Sequence, residues 1–364
     1  MPFARPAASK NRQSLNRDAS RQRIHSPLSI KPYRSRTAMP TERPPTIDAT
    51  AAARWHGMLV TPSPWLHEEV AGRMAGRLGW IKLQPAAWAH WGPVRGGLQG
   101  HARVAKIYPN SECFMVEPLV HHTQAANNSI VKPWWSLGRW TGAAIRIEPP
   151  PDASVQMVWS NMALHMAPDP QALIAQWHRA LAVDGFLMFS CLGPDTLREL
   201  RDLYQRLGWP PPSHEFTDMH DWGDMLAGAG FAEPVMDMER ITLSFATPQR
   251  LLGELRQLGR NLHPTRFGAL RGRQWLHKLH QQMARNLNFL TKQGDDAEGE
   301  GEGEGEGRGG GEGSPLTLTF EVIYGHALKP APRLRARPEA TMSLDDMRLA
   351  LAQGRQGKDA RPAG

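Results

Sequence analysis

Residues 155–201 read VQMVWSNMALHMAPDPQALIAQWHRALAVDGFLMFSCLGPDTLRELR, and this stretch decides the fold. Val155 to Trp159 is a short apolar run with Ser160 and Asn161 at its C-terminal end. Pro168 and Asp169 open a helix in which Leu173, Ile174, Trp177, Ala180 and Leu181 recur at helical spacing. Asp184-Gly185 turns the chain into Phe186 to Cys191, too continuously apolar to be anything but a strand buried on both faces. Gly193-Pro194-Asp195 ends that strand, and Asp195 is placed to cap a helix carrying Leu197, Leu200 and Leu203. Strands buried on both faces and alternating with helices predict an α/β fold with a doubly wound, mostly parallel sheet.

Upstream, Trp88 to Trp91 is the expected first strand, leading into Gly92-Pro93-Val94-Arg95-Gly96-Gly97 and a helix to about Ile107. Cys113 to Val116 is the second strand, ended by Glu117 before Pro118. Ala143 to Ile147 is the third, with Pro149-Pro150-Pro151 as a rigid link into the fourth. Before all of these, Ser63-Pro64 open a helix whose Leu66, Val70, Met74 and Leu78 share one face. Downstream, a helix from Asp218 to Gly230 precedes an alternating strand from Phe231 to Ser244. A helix over Gln249 to Leu258 and an apolar strand over Leu316 to Tyr324 follow.

At 364 residues, one α/β domain with tails fits better than two domains, and 40% apolar residues suffice for a sizeable core. The net charge of +8 is carried by the start of the chain: ten Lys and Arg stand against two acids in residues 1–46. The remainder is near neutral, which gives no electrostatic footprint for nucleic acid. No apolar run reaches membrane-spanning length. Residues 1–50 are rich in Arg, Ser and Pro and read as a disordered basic tail. That tail has the composition of an organelle transit peptide without its apolar face, and a start codon set too far upstream explains it equally well. Gly294 to Pro315 is a Gly-Glu repeat expected to be a disordered loop, interrupting a domain over 51–330 that carries a helical insertion at about 247–293. Residues 331–364 read as a loose tail with a short helix near Leu344 to Leu351. Cys113 and Cys191 each fall within a strand, far from any CxxC, as expected of reduced core thiols in a cytoplasmic protein.

The order of these strands resembles the class I S-adenosylmethionine-dependent methyltransferases, in which a fourth strand ends in a polar residue beside the cofactor. The wording SNMALHMAPDP followed by FSCLGPDTLRELR is similar, more narrowly, to the malonyl-acyl-carrier-protein O-methyltransferases of biotin synthesis. The resemblance spans roughly residues 62–330. It implies a Rossmann-like, seven-stranded sheet whose last strand pairs antiparallel at the edge, and S-adenosylmethionine as cofactor. It assigns Gly92, Gly96 and Gly97 to the turn against the cofactor, Glu117 to its ribose, and Ser160 and Asn161 to the neighbouring strand end. A glycine-rich turn before a helix lets backbone approach a ligand, and a carboxylate at the second strand end can accept two hydroxyls. The sequence departs from the pattern in two respects: His90-Trp91 stand where an acid is expected, and Pro93 removes a backbone donor.

The implied reaction is in-line attack of a malonyl carboxylate on a sulfonium methyl. That carboxylate is ionised near pH 7, so no general base is required, and catalysis rests on alignment and exclusion of water. Arg198 and Arg201 are the nearest basic candidates for holding it. The implied partner is the malonyl form of acyl carrier protein. The basic run Arg260, Arg266, Arg271, Arg273, Lys278 and Arg285 reads either as its docking surface or as a solvated helical face.

Competing readings are a non-catalytic methyltransferase-like interaction protein and a methyltransferase for another small molecule. A dehydrogenase is disfavoured because the glycines at 92, 96, 97 and 100 do not form G-x-G-x-x-G. A zinc site at His67-Glu68-Glu69 is disfavoured because position 71 is Ala. His121-His122 and Trp134-Trp135 are read as extended pairs pointing to opposite faces, and so as packing.

Overall fold

The computed structural model describes residues 47–58, 63–117, 119–130, 144–294 and 315–332, with 345, 347 and 348. The basic tail through residue 46, Trp134-Trp135, the Gly-Glu repeat over 295–314 and nearly all of 333–364 lie outside the described residues.

Seven strands form one sheet in the order β3-β2-β1-β4-β5-β7-β6. They are β1 Ala87–Trp91, β2 Glu112–Val116, β3 Ile145–Arg146, β4 Val155–Asn161, β5 Leu181–Leu192, β6 Ala232–Phe245 and β7 Leu316–Leu328. The pairs from β3 through β5 are parallel, and β7 runs antiparallel to both of its neighbours. β3 is shorter than expected, two residues long. Asp184-Gly185 lies inside β5, with Asp184 at φ 63°.

Consecutive residues of the central strands enter different cores, because side chains alternate across a pleated strand. Met157, Trp159, Phe186 and Met188 pack with Leu66, Val70 and Met74 of α2 (Trp65–Arg77) and Val104 of α4 (Leu98–Ile107). Val158, Leu187 and Phe189 pack on the other face with Ile174 and Trp177 of α6 (Pro170–Ala180) and Leu226 of α8 (Met219–Gly228). Both faces are covered, which is why β4 and β5 carry unbroken apolar runs. From β1 the order runs outward through β2, whereas β4 lies on its other side. In open α/β sheets ligands bind at such a reversal, at the C-terminal strand ends.

Two expectations are corrected. The last strand is not at the edge: β7 inserts between β5 and β6, and β6 forms the edge. Asp195 does not cap the following helix. Leu197, left-handed at φ 58°, precedes α7 (Arg198–Arg206), and its N–H is held by the Thr319 carbonyl of β7 at 2.8 Å. That anchor turns the chain away from Asp195, whose carboxylate instead takes Arg240 at 2.6 Å.

Candidate active site

At the end of β1, Gly92 adopts φ 67°, a left-handed conformation open to glycine at little cost. The chain continues through α3 (Pro93–Gly96) and breaks at Gly97 before α4. Gly96 is fixed by close approach, since a Cβ there would stand 2.8 Å from the Asn161 carbonyl oxygen. Most backbone donors of the turn are already engaged. Val94 N–H donates to Glu117 Oε1 at 2.7 Å, and Leu98 N–H to Ser63 Oγ at 3.3 Å. Gln99 and Gly100 N–H donate to the Glu68 carboxylate at 3.2 and 3.0 Å. Glu68, on α2, therefore caps α4, satisfying donors that every helix N-terminus leaves open. Its neighbour His67 draws attention in the sequence only as half of a metal motif, and a cap 31 and 32 residues away along the chain leaves no local signature.

Asn161 ties this turn to the sheet. Its Nδ2 donates to the His67 carbonyl at 2.8 Å and, at shorter range, to the Gly96 carbonyl. Its Oδ1 accepts from Ser190 Oγ at 2.6 Å, on neighbouring β5. The side chain thereby joins β4, β5, α2 and the glycine turn in one buried network. Met162, the next residue, sits at φ 57° and reaches the same Ser190 through its N–H.

These elements enclose a cavity of about 530 Å³ at the C-terminal ends of β1, β2 and β4. Gly92, Gly96, Glu117 and Asn161 line it; Gly97 and Ser160 do not. Glu117 is almost fully buried, with its Oε2 3.6 Å from His122 Nδ1. His122 corrects the reading of 121–122 as an extended pair: both residues lie in α5 (Val120–Ile130), and His122 turns into the cavity wall. Its Nε2 donates to the Met58 carbonyl at 3.2 Å. His67 Nδ1 donates to the Arg95 carbonyl at 2.8 Å, leaving Nε2 as a buried acceptor without a partner. Burial holds His67 down to about 4, so it is neutral near pH 7.

Arg95 also lines this cavity. One Nη2 hydrogen reaches the Trp55 carbonyl at 2.6 Å and another the Met58 carbonyl at 2.8 Å, while Nε and Nη1 are buried without partners. Burial lowers its pKa to about 10, against the opposing pull of Glu117. Its guanidinium lies 3.8 Å from the centre of the Trp55 ring. Trp55 belongs to α1 (Ala49–His56), and the far end of that helix is pinned by Arg266, 2.6 Å from Asp48.

A second cavity of about 210 Å³ adjoins the first, sharing Met166 and Leu258 in its wall. It is walled by apolar residues, among them Leu192, Leu197, Leu200 and Phe320, with Arg256 and Arg260 as its cations. Arg198 and Arg201 line neither cavity. Arg198 lies exposed against Glu199, and Arg201 donates to the Pro194 carbonyl. Helical spacing explains this: Leu200 and Leu203 take the inward face of α7, which turns positions 198 and 201 away.

Where an acid is expected in β1, His90 is fully buried, its Nδ1 3.2 Å from His101 Nδ1 and the two rings stacked. One nitrogen donates and the other accepts, so the contact holds only while at least one of the two rings is neutral. Burial lowers His101 to about 4 and His90 well below its ordinary value, and a charge on His101 would further disfavour one on His90.

The methyltransferase-domain family matches residues 102–189. The malonyl-[acyl-carrier protein] O-methyltransferase of Gallionella capsiferriformans is 37% identical over 275 residues, 74% of this chain and 86% of its own length. That of Laribacter hongkongensis is 34% identical over 280 residues, 75% of this chain and 85% of its own.

Proposed function

Because this chain belongs to the malonyl-acyl-carrier-protein O-methyltransferase family, we propose that it methylates the free carboxyl of a malonyl thioester on acyl carrier protein, a step of biotin synthesis. The observation that carries this reading is the first cavity's place at the ends of β1 and β4, where the sheet order reverses, and its meeting with a second cavity at Met166 and Leu258.

The first cavity fits S-adenosylmethionine by its donor set. Glu117 is an acceptor for ribose hydroxyls, and Arg95 Nε and Nη1 are unpartnered donors for an α-carboxylate. Neutral His67 Nε2 is an acceptor for an α-ammonium, while Leu173, Pro149 and Val116 offer apolar wall. When bound, S-adenosylmethionine supplies a methyl carbon on a cationic sulfur, open to in-line attack by a carboxylate oxygen. The protein's part is to orient and to exclude water, since the acceptor is already ionised near pH 7. Asn161 fixes the glycine turn against the strand ends, and α1 closes the cavity from above the turn through the Arg95 contacts.

Glu117→Ala is expected to weaken S-adenosylmethionine binding by at least about tenfold, the size of one charge-assisted contact. Glu117→Gln, which keeps an acceptor for Val94 N–H, should lose less. Calorimetric titration of the three proteins decides it, and equal affinity of Ala and wild type would remove Glu117 from the site.

The carrier is taken to dock on the basic residues around α10 (Arg273–Gly294), where Arg271 stacks on Trp275 at 3.9 Å beside an exposed Leu270. Arg266 is better counted as structural, given its pairing with Asp48. Buried, unpaired Cys113 and Cys191 support a reducing, cytoplasmic setting. Among the described residues no helix is long and apolar enough to cross a membrane.

The test offers purified protein labelled S-adenosylmethionine and malonyl carrier protein, with acetyl carrier protein as the control lacking a free carboxyl. Label transfer to the malonyl form alone is expected. Binding without transfer would redirect the reading to another acceptor, and no binding at all to a non-catalytic relative.

A further inference from the structure

The proposed reaction requires the acceptor carboxylate to lie where the two cavities meet, with a cation to hold it. We propose that Arg260 is that cation: it recognises the free carboxyl of the acceptor and so restricts the enzyme to acyl groups ending in a carboxylate. This inference rests on the methyl-transfer reading above and adds the residue that selects the substrate.

Three observations carry it. First, Arg260 lines the second cavity while its guanidinium stands 5.2 Å from the centre of the Trp55 ring, and Trp55 lines the first. It is thus a charge at the boundary that the methyl group must cross. Second, among the described residues no carboxylate lies within ion-pair distance of it. Its Nη1 donates only to the backbone carbonyls of Arg256 and, at 2.8 Å, Gly259. A half-buried guanidinium without a counter-ion favours an arriving anion, because the ion pair restores what desolvation removed. Third, the rest of the cavity suits a short acyl thioester. Ser213 Oγ and His214 Nδ1 are buried there without partners, amid apolar wall. His214 Nε2 donates to the His165 carbonyl at 3.0 Å, which leaves Nδ1 as an acceptor and Ser213 as the free donor, as a thioester carbonyl needs.

Trp55 then acquires a role of its own. Two guanidiniums stand against its ring, Arg95 at 3.8 Å and Arg260 at 5.2 Å, so one side chain adjoins both the residue offered to the cofactor's carboxylate and the residue offered to the acceptor's.

The test compares Arg260→Gln and Arg260→Lys with wild type on malonyl carrier protein and on a small malonyl thioester lacking the carrier. S-adenosylmethionine affinity, measured in parallel, reports the fold. For Arg260→Gln, KM for both malonyl substrates should rise at least about tenfold, with cofactor affinity within about twofold of wild type, and Lys should restore part of the loss. Inhibition by the neutral methyl ester product should be unchanged, since the ester has no charge to recognise. A loss confined to the carrier-borne substrate would make Arg260 a docking residue and overturn the proposal. So would no loss at Arg260 together with a loss in Arg198→Gln. Absence of methyl transfer by wild type would instead sink the functional reading beneath it.

Discussion

Between pH 6.5 and about 4 the protein is expected to lose most of its resistance to unfolding. Burial holds His67, His101 and His214 down to about 4, and lowers His90 and His165 well below the ordinary value of 6.5. In the unfolded chain these rings take up protons as the pH falls through 6.5, whereas in the folded protein they stay neutral. The unfolded state therefore binds more protons throughout this window, and stability present above pH 6.5 is lost as pH falls towards the folded values. At pH 5 each of the three rings held near 4 costs about 2 kcal/mol by this linkage, and His90 and His165 add in the same direction. Three such rings already reach the lower part of the roughly 5–15 kcal/mol that holds an ordinary domain together. Urea unfolding at pH 8, 7, 6 and 5 measures it. A midpoint that stays level down to pH 5 would show that these rings are not kept neutral by the fold.

Asn161→Asp is expected to be the most damaging single-atom exchange in the site. The amide donates to two carbonyl oxygens, those of His67 and Gly96, and accepts from Ser190. A carboxylate keeps the Ser190 bond but presents negative charge to both carbonyls, in a position about 1% exposed. Leaving a buried acceptor unpaired costs about 1–3 kcal/mol, and an unpaired buried charge several more. The glycine turn should be pushed off β4, with S-adenosylmethionine affinity falling at least about a hundredfold and Tm dropping by several degrees. Asn161→Ala, which removes the bonds without adding charge, should fall between the two. If Asp behaves like wild type in both titration and thermal melt, the network does not support the turn.

The sheet was legible from residues 155–201 because strands covered on both faces cannot alternate: Met157 to Trp159 and Phe186 to Phe189 stay apolar whichever way each side chain points. The edge was not legible. Pairing partners are set by which strands meet in space, and the run Leu316–Leu328 looks the same whether one neighbour or two flank it. In the site, Glu117 could be found because it ends a strand beside the glycine turn. Arg95, Glu68 and Asn161 act through partners 28 to 94 residues away, and nothing in their local sequence announces this. His122 was misread because the segment after Pro118 has few large apolar residues to mark a helical face, so Val120–Ile130 did not show as a helix. Arg198 and Arg201 drew attention by closeness to the LGPDTL phrase, whereas Arg256 and Arg260 reach the cavity from a later helix and its following turn.

The insertion of β7 between β5 and β6 has a consequence for synthesis on the ribosome. β5 is made by residue 192, but the ladder along its outer side waits for residues 322–328. β6 gains its only sheet neighbour among the described residues at the same moment, along Ala232 to Phe245. Until then the nascent chain carries an apolar strand with unpaired N–H and C=O groups on one side, the kind of edge to which other chains add. Everything that walls the second cavity from α9 (Pro248–Leu258) is synthesised during that interval. The last strand to emerge therefore closes two ladders at once, and the time spent translating residues 193–328 is the period in which this protein is most open to aggregation and to capture by chaperones.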